Sequence, residues 1–350
     1  MITRRDRAPA AHRRRSETHS RVLRFLMIAI LMASALHTLA PARADLPVAK
    51  HYLSAVVKVI AEVPPTARTA AALGTRREGS GIVIDDNGLV LTIGYLILES
   101  ASVELVVEGA RTVPAKFVAY DHETGLGLLR AIAPLGVKPL ELGDSGALKK
   151  GNQVLAIGNG GSGSALGAYV VSRREFAGWW EYLLPKAIFT APPHLEHSGA
   201  ALIDANGSLV GVGYLVVGNA PADNVAMPGN MFVPIDVLKP VLGDLLTRGR
   251  SSAQARPWLG LYSQEIQGRL FVARVPPGGP AYAAGMRPGD LVLGIAGQPV
   301  HSLPDYYRKL WSLGRAGVEV PLLVVRGDAP AQLTIKSIDR YDWFRLKPDY

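Results

Sequence analysis

Two stretches of the chain alternate short apolar runs with turn signals at close spacing. Ser80-Gly81-Ile82-Val83-Ile84 and Leu89-Val90-Leu91-Thr92 flank Asp85-Asp86-Asn87-Gly88, and the arrangement recurs where 199–203 and 208–212 flank Asp204-Ala205-Asn206-Gly207. Asn-Gly tolerates the positive φ of a tight turn, so each set predicts a β-hairpin. Further strands are predicted at 103–107, 116–120, 127–131, 153–157, 169–172, 187–190 and 231–234. So many short strands predict a barrel or sandwich. A helix over 237–247 closes that region, and the polar segment 248–256 reads as a linker to a smaller unit beginning at Pro257. In that unit Ser302 is a predicted N-cap with Asp305 three residues on. Leu303, Tyr306, Tyr307, Leu310 and Trp311 share one face, and Gly314 stops a helix over 303–313.

Composition adds a location. The 350 residues fit two domains at about 150 each, and 48% hydrophobic against 19% charged residues excludes a disordered chain. The net charge of +9 is concentrated at the start, where residues 1–44 hold nine arginines against Asp6 and Glu17, leaving only +2 for the rest. A chain-wide nucleic-acid footprint is thereby excluded. The arginine-rich start runs into an apolar stretch, 25–36, too short to span a bilayer comfortably, and then into Ala42-Arg43-Ala44. This predicts an export signal cleaved after Ala44 and a periplasmic protein, with membrane attachment only if the leader stays uncleaved as an anchor. The absence of cysteine excludes disulfides, a thiolate nucleophile and thiolate metal sites.

Several motifs together carry a family resemblance. Glu78-Gly79-Ser80-Gly81-Ile82-Val83-Ile84, Leu140-Glu141-Leu142-Gly143-Asp144-Ser145, Lys149-Lys150-Gly151-Asn152-Gln153-Val154-Leu155-Ala156-Ile157-Gly158-Asn159 and Phe232-Val233-Pro234-Ile235 stand in the order found in trypsin-like proteases. The chain resembles that class in its HtrA/DegP form, followed by a PDZ domain. The resemblance implies a mostly β fold, a chymotrypsin-like double β-barrel over 45–247, a linker over 248–256, a PDZ domain over 257–340 and a tail over 341–350. It also implies a homotrimer.

The catalytic positions depart from the family. Thr92-Ile93-Gly94-Tyr95 matches the stretch that supplies the general base, so Tyr95 stands where histidine is expected. Asp121-His122-Glu123-Thr124-Gly125-Leu126 matches the aspartate segment, with Gly125 in the aspartate's place, and Glu196-His197-Ser198-Gly199-Ala200 matches the nucleophile stretch. Only Ser198 remains of the triad. A serine hydroxyl needs a base, and the base needs an orienting partner; a phenol titrating near ~10 is a poor base at neutral pH. Glu196 replaces a glycine whose amide serves the oxyanion hole, at a conformation that is costly for a residue with a side chain. His194 and His122 reach Ser198 only if their loops differ from the family's, and His197, adjacent to the serine, points away from it. His194-Leu195-Glu196-His197 lacks the helical spacing and third ligand of a zinc site and reads as an exposed loop, so no metal or other cofactor is expected. The aromatic segment 176–184 falls where the family has a mobile loop beside the cleft, and is either core packing or a contact surface.

The second unit keeps its parts. Trp258-Leu259-Gly260-Leu261 resembles the carboxylate-binding loop, and 277–292 the signature that follows it. Successive amides at such a turn converge on a terminal carboxylate, and the next strand offers an edge. The sequence thus reads as an exported HtrA-like pseudoprotease that binds C-terminal or hydrophobic peptide segments of envelope proteins through Trp258, Leu259, Gly260 and Leu261. The competing reading is an active serine endopeptidase in which Ser198 uses a non-standard base.

Overall fold

The computed structural model describes residues 50–107, 110–159, 164–222 and 225–346. The expected leader and its cleavage point lie outside these residues. After a short helix α1 (Lys50–Ser54), six strands close into a barrel: β1 (Val56–Glu62), β2 (Arg76–Val83), β3 (Leu89–Ile93), β4 (Ser102–Val107), β5 (Arg111–Tyr120) and β6 (Leu126–Ala131). Their order around the barrel is β1-β2-β3-β6-β5-β4, and a short helix α2 (Ala70–Leu73) lies between β1 and β2. A second closed barrel follows from β7 (Gln153–Ile157), β8 (Ala165–Gly178), β9 (Tyr182–Ala191), β10 (Ala201–Ile203), β11 (Leu209–Val217) and β12 (Gly229–Pro234), ordered β10-β11-β12-β9-β8-β7. Of the barrel and sandwich that the pattern left open, both sheets are barrels, as the resemblance implied.

The two Asn-Gly turns work as expected. Gly88 takes φ +75 and Gly207 φ +86, conformations open to glycine at little cost. In the first turn Asp85 Oδ1 accepts the Leu89 amide at 2.7 Å; in the second, Asp204 Oδ1 accepts the amides of Asn206 and Ser208 at 2.9 and 3.0 Å. These bonds satisfy the amides that the tight turns leave outside the ladders.

The expected helix over 237–247 begins later. A single 3₁₀ turn at Ile235–Val237 precedes α3 (Leu242–Arg248). Pro240 accounts for the delay, having no amide to donate and disfavouring helical backbone at Lys239. The C-terminal unit is a sheet of β13 (Tyr262–Ile266), β14 (Arg269–Arg274), β15 (Leu291–Ile295), β17 (Glu319–Arg326) and β18 (Ala329–Lys336), with the short β16 (Gln298–Pro299) paired to β15. Helices α4 (Pro280–Ala283), α5 (Leu303–Ser312) and α6 (Arg340–Trp343) complete it. Ser302 Oγ caps α5 by accepting the Asp305 amide at 3.2 Å, and Leu303, Tyr306, Tyr307 and Leu310 are buried on its inner face.

Candidate functional site

Ser198 lies between β9 and β10, half-buried, with its carbonyl accepting the Ser80 amide from β2 at 2.8 Å. Gly199 beside it has φ +75, and a Cβ there would stand 2.1 Å from the Ser80 carbonyl oxygen, so the close approach of the barrels requires glycine. Tyr95 follows β3 on a 3₁₀ turn. Its hydroxyl donates to Ser198 Oγ at 2.6 Å and lies 3.3 Å from the Tyr214 carbonyl oxygen. Burial pushes the phenol up to about 12, and the bond to Ser198 lowers it only in part. At neutral pH the phenol keeps its own proton and has no capacity for a second. A general base does the opposite, accepting the proton that the nucleophile gives up.

Gly125, at φ +77, donates its amide to the Asp121 carbonyl at 2.8 Å and accepts the Gly94 amide at 2.7 Å. A Cβ at this position would meet the Tyr182 ring at 3.3 Å. Tyr182 is fully buried and donates its hydroxyl to the Thr124 carbonyl at 2.8 Å. An aromatic ring therefore fills the space beside the expected aspartate position. Tyr182 belongs to a cluster in which Trp180 stacks on it at 5.8 Å, Tyr214 meets both edge-on at 5.4 and 5.5 Å, and Tyr95 stacks on Tyr214 at 5.7 Å. The segment 176–184 is not an open loop: it is the end of the long β8–β9 hairpin, closed by Trp179-Trp180-Glu181.

The histidines are occupied elsewhere. His194 is buried rather than exposed. Its amide donates to Asn230 Oδ1 at 2.6 Å, its Nε2 faces the Ser164 carbonyl at 2.7 Å, and its Nδ1 accepts the Glu196 amide at 3.0 Å. Nδ1 accepting fixes the tautomer with the proton on Nε2, which donates to Ser164. Glu196 has no positive φ, so the steric cost expected at its position is not incurred there. Its amide serves His194, and that donor is lost to an oxyanion. His197 Nδ1 lies 3.0 Å from the Leu195 carbonyl, and His122 packs on Tyr341 at 4.6 Å, among residues of the C-terminal unit. Among the described residues, the hydrogen-bonding partner of Ser198 Oγ is Tyr95.

In the C-terminal unit Gly260 turns at φ +73, with Leu259 and Leu261 buried on either side. Trp258 points away into a side cluster, packing on Trp343 at 5.3 Å. The amides of Leu259 and Leu261 converge on one carboxylate, that of Glu181 from the β8–β9 hairpin. Leu259 donates to Oε1 and Oε2 at 3.2 Å each, and Leu261 to Oε1 at 3.0 Å.

Two family models match this arrangement, a trypsin-like peptidase domain over residues 79–212 and a PDZ domain over 271–326. The chain thus carries a trypsin-like peptidase domain and a PDZ domain, and its relatives are proteases of the DegP and DegQ kind. It is 25% identical to the periplasmic pH-dependent serine endoprotease DegQ of Escherichia coli over 267 residues, covering 73% of this chain and 58% of the relative. It is 27% identical to protease Do-like 1, chloroplastic, of Arabidopsis thaliana over 281 residues, covering 73% and 62%. The chain thus spans little more than half the length of these curated relatives. A solved serine-to-alanine variant of the HtrA-type protease AlgW with tripeptide shares the fold, with a TM-score of 0.51, 20% identity, and 84% of this chain and 98% of that one covered.

In this HtrA-like chain Glu181 was not among the sequence candidates, because nothing local marks it; its partners lie 78 and 80 residues away. Its one local signal is the turn, a three-residue hairpin loop whose last position favours the left-handed conformation. Glu181 occupies that position at φ +59. Burial pushes its carboxyl up to about 7, while the amides of Leu261, Leu259 and Gly260 and the Arg340 charge pull the other way. Facing it are Arg340 of α6, the Tyr306 and Tyr307 phenols of α5, and His122, Glu123 and Arg256 around a small adjoining cavity.

From the ordinary value of 4.5 to about 7 the folded chain keeps a proton on Glu181 that the unfolded chain has released. This contribution to stability is therefore complete below the ordinary value and declines as pH rises to about 7. His122, held well below its ordinary value by burial and three arginines, acts with the opposite sign, so the difference between proteins is the readout. Glu181→Gln is expected to show a shallower fall of melting temperature than the wild type from about pH 5 to 7. Parallel slopes in thermal melts across that range would contradict this.

Proposed function

We propose that this chain is a periplasmic HtrA-type binding protein whose peptidase domain is catalytically silent and whose PDZ domain binds peptides ending in a free carboxylate. The observation that carries the first part is the 2.6 Å bond from a protonated Tyr95 phenol to Ser198 Oγ. The group beside the serine hydroxyl is a protonated phenol that cannot take up the proton a nucleophile must lose, and the orienting position is Gly125. The periplasmic assignment is supported by relatives named as periplasmic endoproteases. The peptide assignment is supported by the PDZ domain and by the convergent amides of Leu259 and Leu261. The second reading, an active serine endopeptidase, has the retained Ser198 and the names of the relatives in its favour.

A fluorophosphonate probe separates the two, because it reacts with activated serines. Wild type and Ser198→Ala are expected to label equally, at background. Labelling of the wild type that is absent from Ser198→Ala would establish the endopeptidase reading.

A further inference from the structure

The tip of the β8–β9 hairpin is hydrogen-bonded to the turn and the edge strand of the PDZ domain. A peptide docking by strand addition makes two kinds of anchor: its terminal carboxylate sits on the amides of the loop, and a carbonyl further back accepts from the edge strand. Both anchors are present between the β8–β9 hairpin and the PDZ domain. The Glu181 carboxylate takes the Leu259 and Leu261 amides. Two residues earlier, the Trp179 carbonyl accepts the Ser263 amide of the edge strand β13 at 2.9 Å. The opposite wall closes on the same segment, since Tyr307 of α5 donates its hydroxyl to the Gly178 carbonyl at 2.7 Å and accepts the Glu181 amide at 3.0 Å. Arg340 donates to the Glu181 carbonyl at 3.2 Å, and Ala177 and Leu183 pack against the PDZ core.

Glu181 is an unusual residue for its place. A left-handed backbone costs a residue with a Cβ about 1–2 kcal/mol, and burying a carboxylate adds a desolvation cost. A strained, buried, ionisable side chain persists where its surroundings over-determine it, and such positions mark switches and clamps. Here the groove amides supply the determination.

We propose that Trp179-Trp180-Glu181 is an intramolecular ligand of the PDZ groove, with the Glu181 carboxylate in the place of a peptide's terminal carboxylate, so that an incoming C-terminus binds only by displacing the hairpin. The inference rests on the reading of this groove as a site for free C-termini. Competition of this kind lowers apparent affinity by the fraction of molecules in which the groove is open.

The test uses the whole mature chain and fluorescein-labelled decapeptides ending in valine, leucine or phenylalanine, as free acids and as matched amides. Glu181→Gly removes the carboxylate and suits the left-handed turn. It is expected to bind the free acids at least about 10-fold tighter than the wild type and to leave the amides weak. Tyr307→Phe, which keeps the ring and deletes the hydroxyl bridging Gly178 and Glu181, is expected to tighten binding by a smaller factor and guards against a folding defect in the first variant. Equal affinity of all three proteins for the free acids would overturn the internal ligand while leaving the groove a peptide site. Failure of every free acid to bind any of the three would overturn the groove reading, and the internal ligand with it.

Discussion

Tyr182→Ala is expected to lower the unfolding free energy by about 4 kcal/mol, the usual cost of deleting a fully buried aromatic ring, and the melting midpoint by roughly 10 °C. The ring is 1% exposed and stands between the two features that distinguish this peptidase domain. It lies against Gly125, where the orienting carboxylate is expected, and it stacks on Trp180 and meets Tyr214 edge-on. Truncation opens a cavity that the surrounding strands of both barrels hold apart. Tyr182→Phe keeps the ring and loses only the 2.8 Å bond to the Thr124 carbonyl, so a loss of about 1 kcal/mol is expected. Chemical denaturation of the two variants is the check. A loss below about 1 kcal/mol for the alanine variant would mean that the cluster is loosely packed and does not close the cleft.

Placing histidine at 95 and aspartate at 125 is expected to add little turnover. Aspartate at 125 must adopt φ +77 with its Cβ 3.3 Å from the Tyr182 ring, so Tyr95→His with Gly125→Asp places its new carboxylate under strain. The oxyanion site remains defective in that variant, because the Glu196 amide stays on His194 Nδ1. One missing oxyanion donor costs about 10²–10³-fold in turnover. Adding Glu196→Gly to the pair is therefore expected to raise casein turnover by about 10²-fold over the double variant. A double variant that already turns over as fast as the triple would show that the 196 amide is not limiting.

Local chemistry explains how much was legible. The Asn-Gly hairpins and the capped α5 depend on residues close in sequence. The buried state of His194 depends on Asn230, a residue of β12 that is 36 positions away. The strand expected at 169–172 is part of the longer β8, which runs on through Arg173, Arg174 and Glu175. They lie on a strand whose end leaves the barrel, where Arg174 covers the Phe189 ring and Glu175 pairs with Arg308 of α5. Glu181 shows the same limit, since a glutamate at a hairpin tip looks solvated until the chain is folded onto the Leu259–Leu261 turn.

The initial rate of casein cleavage by purified wild type against Ser198→Ala tests the central claim most directly. Equal rates, both at the level of buffer alone, are predicted, because the Tyr95 phenol 2.6 Å from Ser198 Oγ keeps its proton at neutral pH and cannot serve as the base. A wild-type rate that falls to background in Ser198→Ala would contradict the account and make the chain a working endopeptidase.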